Sequence, residues 1–375
     1  MLRAMVGRLR TIRLIFALSG VGVSAWALLL PDAKIKFHLS DGALGEVLFL
    51  ASTGGVFVMF LAGIAVARWG SRTCAVATLL LMSLLLPVLG AAPDATLFTV
   101  ILFLYSANFG LLDVAMNAQG ALIEAKSGKL RMSGFHASFS FGTLIVAVAA
   151  SLLLKFGLTL EVLCFLSMAV VLLGLTQSFR LLPIRYDSRQ TGQNFAIPNL
   201  RTIILGLCCF SAFMCDAATT DWSTIFLHFS RHMPIDDAVL GYAAYAVATM
   251  LTRLTGDRLA MRLGQSGLMR LGVVVAVFGF ALAVLTPWGI AGIIGFGLVG
   301  LGSGNILPLL FSAASRVPGM ATHHSMPMVV GVGYVGFLAG PVMIGLISSH
   351  FGLGTAFAVD AVLLGLTFFA ARYAV

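Results

Sequence analysis

Apolar stretches recur along the chain with short polar breaks between them. Twelve can be marked, at about 12–30, 43–66, 73–91, 95–123, 132–154, 159–179, 201–227, 238–259, 267–286, 288–314, 325–348 and 353–372. Crossing a bilayer takes about 20 mostly apolar residues in a helix. The pattern therefore predicts an all-α membrane protein with twelve transmembrane helices in two six-helix bundles. The longest polar connection, FRLLPIRYDSRQTGQNFAIPN, falls between helices six and seven. It divides the chain into an N-terminal bundle (1–180), a linker (181–200) and a C-terminal bundle (201–375). The first apolar run follows Arg3, Arg8, Arg10 and Arg13, and VSAWA loosely matches a signal-peptide cleavage site. Cleavage would leave an odd number of spans, so an uncleaved first helix is expected.

Composition supports lipid as the solvent. Of the 375 residues 59% are hydrophobic and 10% charged, and mean hydropathy is +1.03. Soluble domains carry roughly 25% charged residues. The formal charge of +9 could point to nucleic acid, but its placement points elsewhere. Nineteen of the 23 Lys and Arg fall on the side that holds the N-terminus, and only Lys34, Lys36, Lys155 and Arg231 fall on the other. Basic residues concentrate in cytoplasmic loops. Both termini are thus expected in the cytoplasm of a multi-pass membrane protein, with the bilayer and no nucleic acid as partner. The five cysteines lie in or beside apolar runs and form no CxxC pair. They read as small buried hydrophobes.

The halves resemble each other. LLLKFGLTLEV in helix five and LISSHFGLGTAF in helix eleven lie 195 residues apart; GIAVARWGSR matches GDRLAMRLGQS, and GLLDVAMN matches GLGSGNIL. Six plus six related helices is a transporter architecture, with a binding site at the midplane between repeats. Gly63, Arg68, Gly70 and Arg72 fit the loop signature Gly-x-x-x-Asp-Arg-x-Gly-x-Arg, with Ala67 in place of the Asp; Gly256, Asp257, Arg258 and Gly264 are a second copy with altered spacing. On these residues the chain resembles the major facilitator superfamily. LLDVAMNAQGALIE followed by MSGFHASFSFGTL resembles its YbjJ-like inner-membrane branch and, more loosely, the fucose/galactose–proton symporters. The resemblance implies a secondary active transporter.

Polar residues inside the spans mark the candidate chemistry, because ionisable groups at membrane depth face the bundle interior or a wet cavity. On helix four Asp113, Asn117, Gly120 and Glu124 follow i, i+4, i+7, i+11 spacing and share one face. Asp113, about 15 Å from the helix end at 1.5 Å per residue, is expected to couple protons, with a hydrogen-bonded structural carboxyl as the alternative. Glu124 lies near the cytoplasmic end. It reads as a gate or latch with Arg68, Arg72 or Arg131, or as a simple surface pair with Lys126, Arg131 or Arg68. Gln119 falls off the stripe and reads as a helix-contact residue.

Helix five supplies His136, Ser140 and Thr143 at i, i+4, i+7. His136 could relay protons or be a satisfied structural histidine. On helix seven Asp216, Thr220 and Ser223 share a face, and Asp216 is the second proton-coupling candidate. Asp257 and Arg258 form the second-half latch. Trp26, Asn117, Ser140, Thr220, Tyr242, Tyr245 and Asn305 are candidate cavity residues, and Trp222 fits either a cavity or an interface. Asp360 on helix twelve is assigned to packing.

GFGLVG (295–300) and GVGYVG (331–336) match Gly-x-Gly-x-x-Gly, but both lie inside apolar helices with no preceding strand. They read as packing glycines. GFLAGPVMIG on helix eleven resembles an antiporter motif out of place and leaves export open. No HExxH, Gly-x-Ser-x-Gly or ATP-binding loop occurs. No enzyme activity, metal or cofactor is expected. The expectation is a monomeric secondary active transporter moving a small solute by alternating access, driven by protons. The alternatives are a proton-driven exporter of amphipathic compounds and a transporter-like sensor.

Overall fold

The computed structural model describes residues 2–127, 131–181, 198–318, 320 and 322–373. Among them are thirteen α-helices: α1 (Leu2–Ala27), α2 (Leu30–Lys36), α3 (Asp41–Trp69), α4 (Ser71–Gly90), α5 (Ala95–Ser127), α6 (Met132–Lys155), α7 (Leu160–Leu175), α8 (Leu200–Ile225), α9 (Ile235–Leu285), α10 (Gly289–Ser303), α11 (Ile306–Ala314), α12 (Thr322–Phe351) and α13 (Leu353–Ala370). Three short segments, Ser178–Arg180, Phe226–Ser230 and Ala371–Tyr373, extend α7, α8 and α13. Residues 182–197, most of the expected linker, lie outside the described residues.

Ten helical stretches among the described residues are long and apolar enough to cross a membrane. The two remaining expected spans are α7, apolar but only 16 residues long, and the first part of α9. The latter helix breaks at Gly264, whose φ of 70° and ψ of 160° are not helical. The expected span 288–314 is interrupted at Gly304–Asn305 and so comprises α10 and α11. Large apolar side chains are exposed along the long helices, including Ile64 at 68%, Phe278 at 61% and Phe369 at 71%. Contiguous apolar surface of this kind is unfavourable in water and natural in lipid.

Local signals fix the helix starts. Ser40 Oγ accepts from Ala43 N–H (3.1 Å), Asp94 Oδ1 from Leu97 N–H (2.9 Å) and Asn199 Oδ1 from Thr202 N–H (2.9 Å). Each satisfies a donor that the first helical turn leaves open.

The chain forms two compact units. Unit one is Met1–His38 with Leu50–Gln190, and unit two is Leu39–Phe49 with Thr191–Val375. The first residues of α3 thus belong with the second unit. There Ser348 Oγ of α12 donates to Asp41 Oδ2, and a Cβ on Gly345 would stand 2.9 Å from Gly45 Cα. Only glycine allows the helices so near.

The backbone repeats along the chain. All six described residues with positive φ fall into pairs: His38 (51°) with His232 (54°) and Gly70 (84°) with Gly264 (70°), each 194 residues apart, and Gly157 (73°) with Gly352 (82°), 195 apart. Helix packing repeats as well. In unit one Gly142 of α6 lies on the Ala17 carbonyl of α1; in unit two Gly336 of α12 lies on the Phe210 carbonyl of α8.

The two nucleotide-like glycine runs are helix contacts. A Cβ on Gly295 would stand 2.6 Å from Gly279 O, one on Gly300 2.5 Å from Tyr245 O, and one on Gly333 2.9 Å from Cys209 Cβ. All five cysteines are buried and none forms a disulfide.

Candidate functional site

In unit one the stripe on α5 is held in place by its own helix. Asn117 Nδ2 donates to Asp113 Oδ1 (3.1 Å) and to Asp113 O (2.9 Å). The i, i+4 spacing that sets the two on one face also lets them bond. Both are half-buried. One turn on, Gly120 faces Phe135 and Met132 of α6, whose nearest atoms would stand 3.2 Å and 3.3 Å from a Cβ placed there. Gln119 is fully buried and points elsewhere, donating through Nε2 to Ser71 Oγ at the start of α4 (2.8 Å).

The α6 residues pack on α1. The His136 ring meets Phe16 edge-on, with centroids 5.2 Å apart. Ser140 Oγ donates to His136 O (3.4 Å), Thr143 Oγ1 to Ser140 O (2.7 Å), and Ser24 Oγ of α1 to Thr143 O (3.1 Å). These hydroxyls are tied to helix backbone. Trp26 is half-buried near the end of α1. Of the expected latch, Arg68 is exposed and Arg72 and Arg131 are half-buried. The side chains of Glu124 and Asp257 lie outside the described residues.

Unit two holds the denser polar cluster. Tyr245 O–H of α9 donates to Asp216 Oδ1 of α8. Thr220 Oγ1 turns back to Asp216 O (2.6 Å). Tyr245 is 6% exposed, while Asp216 is half-buried, so the phenol approaches from the packed side and leaves part of the carboxyl open. Two turns along α9 from Tyr245, Arg253 donates from Nε to Gly304 O (3.3 Å), at the break between α10 and α11. Asn305, at the same break, donates from Nδ2 to Thr252 O (3.0 Å) and lies on Gly256. A broken helix frees carbonyls, and α9 supplies the donor for one of them. Tyr242 is buried at 2% exposure, and Arg258 is exposed.

Beside Asp216 on α8, Phe213 joins a half-exposed aromatic group: Tyr334 stacked at 5.2 Å, Phe337 edge-on at 6.5 Å and Phe311 tilted at 6.3 Å. Sequence reasoning missed this group and Arg253. The signal for Arg253 is present, since Tyr245, Thr249 and Arg253 recur every fourth residue of α9, but the arginine counts equally well among the loop charges. The aromatic group draws on three helices, and no spacing within one helix reveals it. No group of three or more His, Cys, Asp or Glu placed to hold a metal occurs among the described residues. A cavity of about 260 Å³ at the α1–α2 end of unit one is lined by Asp32, Lys36, Phe98 and Glu161 among others. It involves none of the residues above.

A family model, Major Facilitator Superfamily, matches residues 13–333. An uncharacterized MFS-type transporter of Yersinia pestis is 34% identical over 352 residues, covering 94% of this chain and 92% of its own. Among solved structures, a point mutant of the nucleoside transporter NupG superposes with a TM-score of 0.79 at 16% identity, over 97% of this chain and 99% of that one. A point mutant of the E. coli fucose:proton symporter FucP superposes with a TM-score of 0.67 at 19% identity, over 98% of each.

Proposed function

Because the chain belongs to the Major Facilitator Superfamily, whose members move solutes across membranes, we propose that it is a proton-coupled secondary transporter of a small polar solute with a ring face. The observation that carries this reading is the Asp216–Tyr245 hydrogen bond beside the Phe213, Tyr334 and Phe337 rings. A hydroxyl-rich ring presents polar edges to the carboxyl and phenol and C–H faces to the aromatics. Nucleosides and sugars have this character, and they are what NupG and FucP are named for.

Asp113 and Asp216 are the proposed coupling groups. Each sits in a membrane-spanning helix with a neutral hydrogen-bond partner, Asn117 or Tyr245. A carboxylate in such a place is expensive unless compensated. Proton uptake removes that expense, and solute binding changes how much compensation is available. A proton drives transport only where its affinity differs between the conformations that alternate. In this reading Arg68, Arg72, Arg131, Asp257 and Arg258, with Glu124, form the cytoplasmic latches, and both termini lie in the cytoplasm of the inner membrane. The protein acts as a monomer.

The test uses proteoliposomes loaded with a pH-sensitive dye. Sugars and nucleosides are first screened by thermal shift, since a ligand that binds the native state stabilises it. Hits are then added outside the vesicles. The expected result is solute-dependent proton movement that Asp113→Asn or Asp216→Asn reduces at least tenfold. Solute uptake with no accompanying proton movement would overturn the coupling, and pH-insensitive binding without any uptake would favour a sensor.

A further inference from the structure

The only ionisable residue of α13 is Asp360. Its side chain is 0% exposed, and neither carboxyl oxygen has a hydrogen-bond partner among the described residues. Around it, α13 packs on α8, α9, α12 and the Phe226–Ser230 and Ala371–Tyr373 segments. Among the described residues, no charged group on any of these elements compensates the carboxyl. On α8 the Cys215 thiol lies within electrostatic range of both Asp360 and Asp216, and a further buried acid, Asp221, lies within range of Asp216.

The neighbourhood is polar without being paired. Phe226 and Phe357 meet edge-on with centroids 5.3 Å apart, where the end of α8 meets the start of α13. The two helices run in opposite directions from that contact. One turn beyond Phe357 is Asp360; one turn before Phe226 are Trp222 and Ser223. Trp222 Nε1, Ser223 Oγ and Thr224 Oγ1 are all buried and without a partner. Buried polar atoms are normally satisfied, so three unpartnered ones at the end of α8, a helix that packs on α13, are not ordinary packing. Since none of these groups lies within hydrogen-bond reach of Asp360, they also do not form a ready-made oxygen cage for a sodium ion, which needs several close oxygens.

An ionised carboxylate in this position would have neither donor nor cation, and burial of such a charge is prohibitive. We propose that Asp360 is a proton-binding site, occupied at neutral pH, inside the second unit. The bound proton removes the charge. This assignment does not depend on Asp113 or Asp216 coupling transport.

Infrared spectroscopy of the purified protein tests it, through the carbonyl stretch of an un-ionised carboxylic acid and its shift on deuteration. The expected result is a band present at neutral pH that loses intensity in Asp360→Asn and keeps the Asp360 component in Asp113→Asn, Asp216→Asn and Asp221→Asn. Absence of the band in the wild type, or its undiminished intensity in Asp360→Asn, would overturn the proposal. Should Asp360→Asn not fold, Asp360→Leu offers an apolar replacement of similar size. Wild-type protein grown with carbon-labelled aspartate gives an independent measurement: the band must move with the label, and a band that stays belongs to glutamate and counts against Asp360. Failure of proton-coupled uptake with the band intact would count against the transport reading alone.

Discussion

Tyr245 and Asp216 show how a single hydroxyl can set the behaviour of a membrane acid. The phenol is buried on α9 and donates to the carboxyl on α8. Replacing Tyr245 by Phe removes the donor while leaving the carboxyl in place, and leaving a buried polar group unsatisfied costs about 1–3 kcal/mol. Tyr245→Phe is therefore expected to lower thermal stability more than Asp216→Asn, which keeps an acceptor for the phenol; thermal unfolding in detergent compares them. Equal stability of the two variants would deny the bond any energetic weight. At this scale the sequence is legible where one helix carries the whole message. Asp113 and Asn117 share a face and bond, as their spacing implies. It is not legible where the partner comes from another helix. Tyr245 reads only as a cavity candidate because nothing in α9 alone points it at Asp216. Asp360 reads as packing because its burial without partners depends on α8 and α9 closing over it.

Helices in this protein approach each other through glycine, and the effect is position-specific. Gly300 leaves no room for a side chain, its Cβ position lying 2.5 Å from Tyr245 O, whereas around Gly331 nothing lies within 4 Å. Both sit in a Gly-x-Gly-x-x-Gly run, so the pair separates packing from motif. Gly300→Ala is expected to reduce the yield and melting temperature of the purified protein. Gly331→Ala should be neutral or slightly stabilising, because Ala is favoured over Gly in a helix interior by about 1 kcal/mol. Side-by-side melting curves decide this, and similar losses in both would point to a shared role for the runs. The helix pattern itself is readable from hydrophobicity, since lipid demands long apolar segments with internally satisfied backbones. The breaks are not. Gly264 and Gly304–Asn305 interrupt segments whose helical pattern continues across them, and only backbone geometry reveals the interruption. Arg231 illustrates the same point at a helix end: its Nη2 donates to the Ala283 and Val284 carbonyls (3.0 Å and 2.7 Å) across 52 and 53 residues of sequence. Desolvation there lowers the guanidinium from its usual range, yet arginine stays protonated at any physiological pH, so the cap is insensitive to pH.

For the molecule as a whole, orientation is the property that charge alone assigns. Because the five native cysteines are buried, a single introduced cysteine reports on its own side of the membrane. A membrane-impermeant thiol reagent added to intact cells is expected to label Lys155→Cys. Arg180→Cys should react only after permeabilisation. The reverse pattern would invert the topology and move the proposed latches to the other face. The repeated backbone has a further meaning. His38 with His232, Gly70 with Gly264 and Gly157 with Gly352 keep nearly one offset from end to end, which puts Gly22 of α1 in register with Asp216 of α8. In unit one the Tyr105 hydroxyl lies 2.7 Å from where a Gly22 side chain would begin, and it has no partner among the described residues. At this position the second unit carries an acid, and the first carries a glycine beside a buried phenol. The turns repeat as scaffold while the polar chemistry does not: unit one places its acid at Asp113 of α5 and unit two at Asp216 of α8, so the halves are alike in form and differ in where the ionisable group stands.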